Sequence, residues 1–129
     1  MYDKADPAEW RPTSMDFYTL GELDGLTGIA YLRIGQPDKA EYHLYRSLAA
    51  LRRDQHRNRA YYLAHVAFAQ LDQGDAEQAC ATAATVTPPP GSTSAGRIPH
   101  LLDTFTDRLG AMAPGAAVTR EWNARRAAA

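Results

Sequence analysis

The chain has 129 residues, enough for one domain with a buried core, and a formal net charge of −1, which excludes a module held to nucleic acid mainly by bulk electrostatics. No apolar run approaches the length of a membrane span, and a single cysteine, Cys80, excludes an internal disulfide. The opening residues, MYDKADPAEWRP, lack the apolar core of a secretory signal, so a cytoplasmic location is expected.

Residues 1–13 read as an irregular lead, with Pro7 and Pro12 flanking Trp10. Thr13 or Ser14 can cap a first helix with Asp16 in its first turn. Leu20, Leu23, Thr27, Ala30, Tyr31 and Ile34 then recur at the spacing of one amphipathic face. Gly35 stops that helix, because glycine tolerates the left-handed backbone of a helix C-terminus. Pro37 starts the next, where its missing N–H costs nothing, and Ala40, Leu44, Leu48 and Leu51 form its stripe.

The polar run RRDQHRNR leads into a third helix, about Asn58 to Gln73, whose contacts are Tyr62, Leu63, Val66, Ala67 and Leu71, with Gly74 as the stop. Asp75 caps a fourth helix, and Gln78 completes a capping-box pattern. This alanine-rich helix runs out at TPPPGSTSAG, a breaker-rich loop over 88–96. A fifth helix, Arg97 to Met112, puts Ile98, Leu101, Leu102, Phe105 and Leu109 on one side. Pro114–Gly115 breaks it, and a sixth uses Val118 and Trp122 as its apolar contacts. No segment alternates with period two, so the expected fold is all-α with about six helices.

The stretch LTGIAYLRIGQPDKAEYHL aligns with AHVAFAQLDQGDAEQACAT, with Gly35 on Gly74, Asp38 on Glu77 and Ala40 on Ala79, an offset of 39 residues. Tetratricopeptide repeats have a period of roughly 34, and a longer second helix and turn at LAALRRDQHRNR would take up the difference. Gly28, Tyr31, Gly35 and Ala40 fall at the spacing of the tetratricopeptide glycine, tyrosine, turn-glycine and alanine positions, so the first copy resembles that family. The second copy keeps Gly74 and Ala79 but has Ala67 and Gln70 at the other two positions. The resemblance implies a right-handed superhelix of antiparallel helix pairs over 14–127: a first pair at 14–53, a second at 58–87 and a degenerate capping pair at 97–127. Ala40 and Ala79 are then expected to be buried where paired helices approach.

Trp10 ahead of DFYTLGELDGLTGIAYLRIGQPDKA, followed by RNRAYYLAHVAFAQLDQGDAEQAC and SAGRIPHLLDTFTDRL, is similar to the C-terminal region of bacterial helix-turn-helix regulators. That resemblance implies a protein-interaction module: the regulatory or dimerisation part of a transcription-regulator lineage, without its DNA-binding domain. A stand-alone adaptor docking on an enzyme is the alternative. The expected partner is a protein or peptide, and neither nucleic acid nor membrane. A second copy of the chain is also expected, because a short array exposes apolar faces at its ends, with Trp10 and Trp122, large apolar residues outside the repeat cores, as anchors.

In tetratricopeptide arrays the first helix of each pair lines a concave groove. The resemblance therefore assigns Glu22, Leu26, Ile29 and Arg33 from the first copy and Tyr61, His65, Phe68 and Asp72 from the second. Aromatic anchors among charged groups suit a peptide or partner helix. With His65 exposed, its imidazole would titrate near Asp72 and make binding pH-dependent. The plain alternative for Leu26, Ile29 and Phe68 is core.

Enzymatic chemistry is not expected. His43, His56, His65 and His100 lie at no metal-ligand spacing, Cys80 has no CxxC partner, and neither a nucleophile elbow nor a phosphate loop is present, so no cofactor or metal is expected. Glu22 and Asp24 read as surface carboxylates, and Cys80 among alanines as a buried thiol. Arg52, Arg53, His56, Arg57 and Arg59 read as a solvated inter-repeat turn, and Arg120, Arg125 and Arg126 as C-terminal helix charges.

Overall fold

A computed structural model describes residues 20–52, 55–87 and 96–128 of the chain. Among them are six helices and no strand: α1 (Leu20–Arg33), α2 (Pro37–Ala50), α3 (His56–Asp72), α4 (Ala76–Ala84), α5 (Arg97–Met112) and α6 (Ala117–Ala128). The expected lead with Trp10, the Thr13/Ser14 cap and Asp16 lie outside the described residues, as do Arg53 and 88–95 of the expected loop. No described helix is long and apolar enough to cross a membrane.

The two glycine stops have the same geometry. Gly35 has φ 79° and Gly74 φ 86°. After α1, the Gly35 N–H donates to the Leu32 carbonyl (3.2 Å) and the Gln36 N–H to the Tyr31 carbonyl (2.9 Å). After α3, Gly74 donates to Leu71 (2.9 Å) and Asp75 to Gln70 (3.0 Å). Both ends are Schellman motifs, in which a left-handed residue lets two N–H groups turn back onto otherwise orphaned carbonyls. Asp75 then caps α4 as expected, its Oδ1 accepting from the Gln78 N–H at 3.1 Å. The capping box is only half made, because the Asp75 N–H is already bonded to Gln70 and the Gln78 amide lies 3.5 Å from the Thr82 hydroxyl.

The buried face of α1 differs from the stripe expected. Leu20 and Ile34 are largely exposed, as are Thr27 and Ala30, and the buried residues are Gly21, Gly25, Gly28 and Ile29. The physical reason is proximity. A Cβ on Gly25 would lie 2.4 Å from the Tyr62 ring and 2.9 Å from the Ser47 hydroxyl, and one on Gly28 would lie 2.7 Å from Leu44 Cγ. A row of glycines gives no hydrophobic periodicity, yet it lets α1 sit against α2 and α3 closer than side chains permit. Asp24, expected on the surface, is only 20% exposed and holds α2 through His43 Nδ1 (3.2 Å) and Arg46 Nε (3.3 Å).

The stripe of α2 is buried as expected, and Ala40 and Ala79 are both 0% exposed. α3 is the central element. It starts at His56, so Arg59 lies within a helix and not in a turn. It packs on α1, α2, α4 and α5, and α6 closes the far side against α4 and α5. One apolar cluster joins α1, α2 and α3 around Leu44, Tyr62 and Val66; a second joins α3 to α6 around Phe68, Leu71, Phe105, Leu109 and Trp122.

Trp122 is therefore not an exposed anchor for self-association. It is 4% exposed, packs edge-on to Phe105 at 5.2 Å, and donates its indole N–H to Thr106 Oγ1 at 2.8 Å. Arg125 and Arg126 do more than complement the helix dipole. Arg125 donates to the Ala84 carbonyl at 3.3 Å, at the end of α4, and Arg126 pairs with Asp103 of α5.

Candidate functional site

The groove that the fold leaves open lies between α1, α3 and α5 and has a volume of about 420 Å³. That is within the range of roughly 300–1,000 Å³ usual for ligand sites. α1 contributes Ile29, Leu32 and Arg33; α3 contributes His65, Phe68 and Asp72; α5 contributes His100, Leu101, Thr104 and Arg108. Five of the eight residues assigned from the sequence thus meet in one concavity.

The other three do not line it. Glu22 accepts a hydrogen bond from Asn58 Nδ2 at 3.0 Å, tying α1 to α3. Leu26 is 43% exposed but stands outside the groove. Tyr61 is half-buried and carries the Arg97 guanidinium over its ring, 4.0 Å from the centroid.

Within the groove, the apolar members are largely core. Ile29 is 7% exposed and Phe68 5%, with Phe68 packed on Phe105 at 6.1 Å. Arg108 lies over the outer side of Phe68, 5.0 Å from the centroid, and pairs with Asp72. Asp72 is therefore neutralised by α5, not by His65.

The expectation of an exposed His65 is corrected: it is only 9% exposed, set between Tyr61 at 4.6 Å and Phe68 at 5.8 Å. Its Nδ1 lies 2.8 Å from the Tyr61 carbonyl. A carbonyl can only accept, so Nδ1 carries the proton and Nε2 of the neutral ring is an acceptor. Burial holds the His65 pKa below its ordinary 6.5; the bond to Tyr61 opposes this, and the positive charges of Arg33 and Arg97 add to it.

The α5 wall was missed because 97–127 was assigned to a cap. A signal was present: Arg97, Leu101, Thr104 and Arg108 recur at helical spacing, one face round from the core stripe Ile98, Leu102, Phe105 and Leu109. A second cleft, about 500 Å³, lies between α4 and α6; its lining mixes Cys80, Val118, Trp122 and three alanines with Glu77, Glu121 and Arg125. Burial pushes the Cys80 thiol pKa up, so it is a poor nucleophile. Among the described residues, no three His, Cys, Asp or Glu side chains are grouped to hold a metal ion. In comparisons with known proteins, the chain matches no family model, no curated protein and no solved structure.

Proposed function

We propose that the chain is a protein-interaction module that takes a peptide or partner helix in the groove between α1, α3 and α5, within a tetratricopeptide-like right-handed superhelix. The observation that carries this reading is that the groove is walled by alternate helices of the chain, α1, α3 and α5. The matching Schellman ends 39 residues apart and the fully buried Ala40 and Ala79 support a repeated helix pair beneath it. The resemblance to bacterial helix-turn-helix regulators makes the regulatory or dimerisation part of such a regulator the preferred setting.

The test is selection of a displayed random-peptide library on the immobilised chain, repeated with Thr104→Trp. Thr104 is half-buried in the α5 wall, so an indole there fills the groove without entering either apolar cluster. Peptides enriched on the wild type should fail to bind the variant, with its helical spectrum unchanged. Equal binding to both, or no enrichment, overturns the groove as the site.

A further inference from the structure

The groove's charges do not follow those of the whole chain. The protein carries a formal net charge of −1, yet among the described residues the groove and its edge present Arg33, Arg97 and Arg108, with His65 and His100, against one carboxylate, Asp72. Asp72 is taken by Arg108, whose guanidinium also covers Phe68. Arg97 is stacked on Tyr61. The groove's histidine on α3 offers no positive charge, since His65 is buried and neutral with its one N–H given to a backbone carbonyl. Arg33 remains: exposed, in the last turn of α1, with no hydrogen bond or ion pair to any described residue.

Resting on the groove reading above, we propose that the occupant is a peptide with an acidic side chain beside an aliphatic one. The carboxylate pairs with Arg33, and the aliphatic group seats on Leu32 and Leu101 against Ile29. A guanidinium presents a fork of N–H donors that matches a carboxylate's two oxygens. Beside an apolar wall that excludes water, such a pair outweighs one on open surface. The C-terminal end of α1 opposes an anion with about half a unit charge, but a full guanidinium charge lies nearer to the ligand and prevails. Among the described residues, a basic peptide would meet three arginines and one carboxylate, Asp72, which is already paired.

The same displayed library distinguishes this proposal from the groove reading. Sequences enriched on the wild type should be rich in Asp or Glu next to Leu, Ile or Val. Exchanging their carboxylates for amides should weaken binding about tenfold, with the difference shrinking as salt is raised. On Arg33→Gln the acidic preference should vanish while aliphatic peptides still bind. Arg33 has no partner within the described fold, so that variant should melt as the wild type does. Enriched peptides that bind the wild type but not Thr104→Trp, yet show no acidic preference, overturn this proposal and leave the groove reading standing. So does an acidic preference that survives Arg33→Gln. No enrichment at all overturns both.

Discussion

Gly25 and Gly28 each stand where a single methyl group would strike a neighbour: the Tyr62 ring at 2.4 Å and Leu44 Cγ at 2.7 Å. Alanine in a helix gains up to about 1 kcal/mol over glycine, but overpacking costs about 1–3 kcal/mol. The clash should win, because Leu44 is 0% exposed and the Ala40 carbonyl, 3.0 Å from a Cβ on Gly28, is backbone. Gly25→Ala and Gly28→Ala should therefore lower the melting temperature. Gly110→Ala, with nothing within 4 Å of its Cβ, should raise it slightly. Three melting curves check this, and the same sign for all three would contradict the close-approach account.

His65 supplies a pH dependence whose sign follows from its lowered pKa. The unfolded chain takes up a proton near pH 6.5 while the folded chain resists it. Stability is therefore full above that value and is lost as pH falls through it toward the folded pKa. Thermal melts between about pH 7.5 and 5.5 should fall more steeply for the wild type than for His65→Gln. Parallel slopes would mean that His65 titrates as it does in the unfolded chain.

The contacts between helices are not all apolar. Gln70 of α3 is 4% exposed, and its amide is fully used: Nε2 donates to Glu41 Oε2 and to the Tyr45 hydroxyl of α2, both at 3.1 Å. Its Oε1 accepts from the Thr82 hydroxyl of α4 at 2.6 Å. One side chain thus joins three helices, at the position 39 residues after Tyr31. Gln70→Leu should cost about 1–3 kcal/mol, since the buried Thr82 hydroxyl loses its acceptor. Adding Thr82→Val should recover part of that loss, because removing both partners is far cheaper than removing one. A double-mutant cycle by urea denaturation measures the coupling, and additive losses would show that the two side chains act independently.

Taken whole, the molecule has two apolar clusters built on opposite sides of one helix, α3, which supplies Tyr62, Val66 and Ala69 to the first and Ala64, Phe68 and Leu71 to the second. Neither cluster survives without that helix, so the two should melt together. In Trp10→Phe, the fluorescence of Trp122 reports the second cluster alone, and the far-UV signal reports all helices. The two transitions should coincide, and Leu44→Ala in the first cluster should shift both equally. Separate midpoints would show two independent units.

Helix positions were legible along the chain because they depend on local chemistry. The left-handed turns at Gly35 and Gly74, Pro37 at a helix start, the Asp75 cap and the α2 stripe are each decided within a few residues. Of the eight residues that the resemblance to tetratricopeptide repeats assigned to one surface, Ile29, Arg33, His65, Phe68 and Asp72 meet in the groove, and Glu22, Leu26 and Tyr61 do not line it. Which side of α1 is buried was not legible, since packing there runs through glycines that carry no apolar signal. The burial of His65 and Trp122, the Asp72–Arg108 pair and the α5 wall of the groove were not legible either. Each depends on how α5 and α6 dock against α3 and α4, and a helical period shows that a face is apolar without showing which helix covers it.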